Sequence, residues 1–134
     1  EIKRVFAADP TRLRNVDFYT LAQSYPEGSD EYCGVFEKAV EVYPDDPMLN
    51  LNAANIELRR GEYDKAQSHL LKAGHSPLAD YARGILAAKR GDTASALVLF
   101  RKAQDAGMEG LEKVIADTEA IRDYYPVTYF ISGK

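Results

Sequence analysis

The chain has 134 residues, 46% of them hydrophobic and 28% charged, the composition of an ordinary globular protein and a length that suits one domain. A net charge of −4 speaks against the clustered basic surface of a nucleic-acid binder, and no stretch approaches the ~20 apolar residues of a membrane-spanning helix. Cys33 is the only cysteine, so no disulfide forms within the chain, and a lone thiol of this kind is expected as a small buried apolar group.

In chain order, Glu1–Ala8 is too short to assign, and Asp9-Pro10 interrupts it. From about residue 14 the sequence repeats itself. Gly61-Glu62-Tyr63-Asp64-Lys65-Ala66 aligns with Gly91-Asp92-Thr93-Ala94-Ser95-Ala96, thirty residues further on, and two long basic residues precede each, Arg59-Arg60 and Lys89-Arg90. Leu70 with Ala73 then matches Phe100 with Ala103. An earlier copy, Phe36 with Ala39, lies thirty-four residues before Leu70 and Ala73. The drop from thirty-four to thirty removes about one helical turn at the junction before Ser76-Pro77, which predicts a shortened helix with its apolar face kept in phase.

The spacing within each copy is helical. Ala66, Leu70 and Ala73 stand at i, i+4 and i+7, as do Ala96, Phe100 and Ala103, which is one stripe of a helix. Asp46-Pro47 and Ser76-Pro77 read as helix starts, because the side-chain oxygen accepts orphan N–H groups and proline sits where no N–H is needed. Ser29 reads as a third cap. Gly61 and Gly91 end the preceding helices. Each unit is thus helix, tight turn, helix, and the units run roughly 14–45, 46–75 and 76–106. Ala54 and Gly84, seven residues before the turn glycines, are small where paired helices cross closely.

These residues resemble the tetratricopeptide repeat, whose pattern is a small residue in the first helix, glycine at the turn, an aromatic two residues on, then Ala, a large apolar residue, Ala and Pro. The second unit supplies Ala54, Gly61, Tyr63, Ala66, Leu70 and Ala73. The third supplies Gly84, Gly91, Ala96, Phe100 and Ala103, with Thr93 in place of the aromatic. In the first, Phe36, Ala39 and Pro44 fit, while Phe18, Leu21, Ala22 and Tyr25 fit its first helix only with a turn two residues shorter. The resemblance implies an all-α fold, an α-α superhelix of about three helix pairs. It also implies a concave face lined by the first helices, placing Tyr19, Gln23, Leu51, Asn55, Arg59, Tyr81, Ile85 and Lys89 toward a peptide or protein partner. The subclass that grips a terminal carboxylate wants lysine where Leu51 stands, so that specificity is not expected.

A narrower resemblance joins Tyr25-Pro26-Glu27-Gly28-Ser29, Val35–Val40 and Tyr43–Pro47 to the C-terminal repeat region of cell-envelope, OmpA-family-like proteins of Bacteroides-type bacteria. It implies an exported protein in the envelope or periplasm, with the start at Glu1 marking a piece of a longer chain. The alternative is a cytoplasmic protein.

Beyond the repeats, Leu111, Val114, Ile115, Thr118 and Ile121 form one stripe of an expected capping helix over 108–123, as a terminal repeat unit requires. Residues 124–134 are aromatic and β-branched and read as an extended tail. No catalytic constellation is visible: His69 and His75 would not share a helix face, no Cys or His cluster has metal spacing, and Asp45-Asp46 suits a helix start. The expectation is a non-catalytic module with no cofactor and no metal, binding a polypeptide; the alternative is a structural spacer acting through its ends.

Overall fold

A computed structural model describes residues 2–108, and among them every regular element is a helix. The helices are α1 (Ile2–Ala8), α2 (Asn15–Gln23), α3 (Asp30–Val42), α4 (Pro47–Arg60), α5 (Tyr63–Leu70), α6 (Pro77–Lys89) and α7 (Thr93–Asp105), with one 3₁₀ turn at Pro10–Arg12. The expected capping helix and tail lie outside the described residues.

Local chemistry accounts for the boundaries. The carboxylate of Asp46 accepts the Leu49 N–H at 3.0 Å, and the hydroxyls of Ser29 and Ser76 accept from Tyr32 and Ala79 at 3.2 Å each. All three caps stand where the sequence places them. Gly61 and Gly91 turn the chain at φ +76° and +83°, a left-handed conformation that costs a glycine little. The N-terminal residues, which the sequence leaves unassigned, form α1, and its Phe6 stands edge-on to Phe18 with ring centroids 6.3 Å apart.

The first pair departs from expectation. The connection from α2 to α3 spans residues 24–29, whereas Gly61-Glu62 alone joins α4 to α5. The turn is longer, not two residues shorter, and it is α2 that is cut back. The expected shortening before Ser76 does occur in a helix: α5 has 8 residues where α3 and α7 have 13 each.

Helices pair as α2 with α3, α4 with α5 and α6 with α7, and neighbouring pairs touch through α3–α4, α5–α6 and α4–α6. The apolar stripes meet in two clusters. One gathers Phe18, Tyr32, Val35, Phe36 and Leu49; the other gathers Leu51, Leu58, Leu70, Tyr81, Ile85 and Phe100; Met48 packs against both. Ala66, Ala96 and Ala103 lie on the buried faces of the second helices, and Ala73, just past the end of α5, is buried as well. A Cβ added to Gly84 would lie 2.5 Å from Cε1 of Phe100, so the small residue is demanded by the ring across from it. The second pair carries the exchange the other way, Ala54 with the smaller Leu70, both buried.

Candidate interaction surfaces

Eight residues are expected on the inner face of the first helices, and five of them have almost no accessible surface. Tyr19 is 5% exposed, Asn55 and Tyr81 2%, and Leu51 and Ile85 0%. Leu51, Tyr81 and Ile85 belong to the second apolar cluster, and the Tyr81 and Phe100 rings lie 5.4 Å apart. Tyr19 packs edge-on to Phe36 at 6.0 Å. Burial pushes its phenol well above the ordinary value, with the nearby Asp46 carboxylate adding to the effect, so the ring stays neutral at any physiological pH. These five side chains are thus buried within the structure. Of the remaining three, Gln23 is exposed and Arg59 and Lys89 are half-buried.

Among the described residues, one accessible concavity lies on another side of α4. A cleft of about 470 Å³ opens between α3, α4 and α5, lined on α4 by Ala53, Ile56, Glu57 and Arg60. A helix turns by about 100° per residue, so Ala53, Glu57 and Arg60 stand on the side of α4 opposite Leu51 and Asn55. Phe36, Val40, Ala53 and Ile56 give the cleft an apolar floor, and Glu37, Glu41, Glu62, Lys65 and Ser68 give it a polar rim. Cys33 also reaches it. Burial pushes the Cys33 thiol up, against a smaller opposing pull from Arg60, and a thiol held protonated is a poor nucleophile. Its role here is as part of the floor.

Within this cleft Nδ1 of His69 donates to Oε1 of Glu57 at 2.6 Å, with the Glu57 side chain only 12% exposed and that of His69 26%. The sequence does not flag this pair, since the two residues stand twelve apart on different helices and neither belongs to the repeat pattern. The separation of His69 from His75 is as expected: His75 is exposed and takes no part in the cleft. Among the described residues no group of three or more His, Cys, Asp or Glu side chains is placed to hold a metal ion, and no helix is long and apolar enough to cross a membrane.

A second cleft, about 300 Å³, is lined by Gln67, Leu70, Leu71, Arg83, Leu86, Ala87, Arg90 and Asp92. Set against the repeat, these are the same positions one unit later. Ala53, Ile56, Glu57 and Arg60 become Arg83, Leu86, Ala87 and Arg90 after thirty residues; Cys33, Phe36 and Glu37 become Gln67, Leu70 and Leu71 after thirty-four. The ionic joint between pairs repeats as well. Arg60 reaches Asp30 at 3.7 Å and Glu37 at 3.6 Å, while Arg90 reaches Asp64 at 2.8 Å and also bonds Gln67. The periodicity of the sequence is therefore a periodicity of contacts.

Only the second cleft has an arginine in its wall bonded to the end of the preceding helix. Nη2 of Arg83 donates to the carbonyls of Leu70 and Gly74 at 2.6 Å each, and Nη1 reaches the buried Asp80 at 3.3 Å. The guanidinium covers the C-terminal end of the shortened α5, where free carbonyls and the helix dipole favour a cation. It occupies the place left by the missing turn. Comparison with known proteins finds no matching family model, no matching curated protein and no matching solved structure.

Proposed function

We propose that this chain is a non-catalytic interaction module of tetratricopeptide-like helix pairs, binding a peptide or protein partner as part of a larger cell-envelope protein. The observation that carries the reading is the open outer cleft between the first two pairs. It combines an apolar floor with a polar rim on a helical frame, the mixture that lets a docked side chain lose water while its neighbours stay hydrogen-bonded. The envelope setting rests on the likeness of the Tyr25–Ser29 and Tyr43–Pro47 runs to that class of protein.

The second reading is a spacer that assembles through its ends. It is favoured by Val98 on α7, which is 67% exposed and lies in the last described pair. A photo-crosslinking residue placed in turn at Ser68 in the outer cleft, at Gln23 on the inner side and at Val98 on α7 separates the readings. In cells of the source organism, the interaction reading expects a discrete adduct with another polypeptide from Ser68. Adducts from Val98 alone would give the role to the ends, and adducts confined to Gln23 would return it to the inner face. No adduct from any of the three would remove the interaction reading itself.

A further inference from the structure

The two outer clefts form an internal control for one another. The same repeat positions build both, yet the first holds Glu37 and Glu57 where the second holds Leu71 and Ala87. His69 likewise stands thirty residues before Leu99. The sister cleft demonstrates that the frame folds with aliphatic residues at these places. A nearly buried polar pair is also no efficient way to gain stability, because desolvation cancels much of the attraction. Packing therefore does not explain Glu57 and His69.

Charge points to what does. Four glutamates line the first cleft (Glu37, Glu41, Glu57 and Glu62) against Arg60 and Lys65. Arg60 is engaged with Asp30 and Glu37, Lys65 with Glu62 at 3.2 Å, and Glu41 with Lys38 at 2.7 Å, which leaves Glu57 as the lining glutamate that meets no lysine or arginine among the described residues. The cleft is thus acid-rich around a floor of Phe36, Val40, Ala53 and Ile56, and it is wide enough for more than one side chain. The second cleft, with Arg83 and Arg90 against Asp92, has the opposite balance.

Resting on the interaction reading, we propose that the first outer cleft takes a polypeptide segment in which an aliphatic side chain sits beside a lysine or arginine. The aliphatic group meets the floor. The cation meets the Glu57 carboxylate and the rim, where a charged hydrogen bond is stronger than a neutral one. His69 holds Glu57 in place as a positioning residue.

The test is an NMR titration of the ¹⁵N-labelled chain with a synthetic peptide carrying one leucine flanked by lysines in an alanine–glycine background. A matched peptide with glutamates for the lysines serves as the control. The expected result is saturable shifts at Val40, Ala53, Ile56 and His69 with the lysine peptide only, weakening as salt screens the charges. The double variant Glu57→Ala with His69→Leu should weaken the affinity at least tenfold without lowering the melting temperature. If that variant fails to fold, Glu41→Lys on the exposed rim should weaken binding in its place. Equal binding of both peptides, unaltered affinity in the folded variant, or no shift with either peptide overturns the proposal. Lysine-peptide shifts confined to the inner side or the second cleft overturn it too, and in that case the interaction reading survives with its site moved.

Discussion

The two outer clefts are built by the same repeat positions and have come to different ends. What they share joins the pairs: Arg60 with Asp30, and Arg90 with Asp64 one unit later. What they do not share faces the open space, with Ala53, Glu57 and Glu37 in one and Arg83, Ala87 and Leu71 in the other. The arginine–aspartate joint is kept in both, while the other lining positions differ, Glu37 and Arg83 included, although each of those also bonds across a junction. The first cleft holds a hydrogen-bonded polar pair. The second carries an arginine that covers the end of the shortened α5.

The strongest way to break this contrast is to remove Arg83. Arg83→Met strips two carbonyls and the buried Asp80 of their cation, and breaking a buried pair of this kind costs about 3 kcal/mol. Chemical denaturation should register the loss, and hydrogen exchange should rise first at the end of α5. Ala53, the matching position, should tolerate Ala53→Ser with little change.

Next in size is the exchange between Gly84 and Phe100. Gly84→Ala drives a methyl into the ring and should cost about 1–3 kcal/mol through overpacking. Adding Phe100→Leu, which gives the third pair the combination found at Ala54 and Leu70, should recover most of it. A double-mutant cycle with no coupling would refute the size exchange.

A smaller effect, of opposite sign, is expected from Glu57→Ala with His69→Leu. Replacing a half-buried polar pair with the aliphatic residues of the sister cleft should leave the melting temperature unchanged or raise it slightly. A clear fall would make the pair structural.

Smaller again are the ionic joints. Arg60→Ala and Arg90→Ala should each produce a slight loss that vanishes at high salt, because Asp30 and Asp64 are fully exposed and such pairs are screened. The least effect concerns acid. Asp92 accepts the Ser95 N–H at 3.1 Å and caps α7, and bonding to Ser95 holds its carboxyl below the usual range. A depressed carboxyl stabilises the fold above its unfolded pKa and loses that contribution as pH falls through the folded one. The start of α7 should therefore fray in strong acid. The start of α5 should not fray for this reason, since Glu62 at the matching position makes no cap bond. Amide shifts at Ser95 and Lys65 across an acid titration would decide this.

Most of the fold was legible because repetition multiplies weak signals. A single Gly61 or Ser76 says little, but the same residue types at fixed offsets fix helix, turn and helix together, and the caps at Ser29, Asp46 and Ser76 fall where expected. The first pair was legible only in part, because Phe18, Leu21 and Ala22 carry the apolar stripe without a glycine directly after the helix; the turn's glycine, Gly28 at φ +77°, comes five residues past the end of α2. The site was read less well. Helical phase places Leu51, Asn55, Tyr81 and Ile85 on one face, but phase alone does not tell which faces meet a neighbour, and the structure buries all four. The Glu57–His69 pair was beyond sequence reasoning, since it joins two helices at positions where the repeat prescribes nothing.

Met48 has a consequence for the stack as a whole. Helical arrays in which each unit touches only the next can peel open from an end, one unit at a time. A single side chain lodged against both apolar clusters works against that. Loosening either half strips shelter from the root of α4, which the other half needs, so the described region should come apart in one concerted event, not by unzipping.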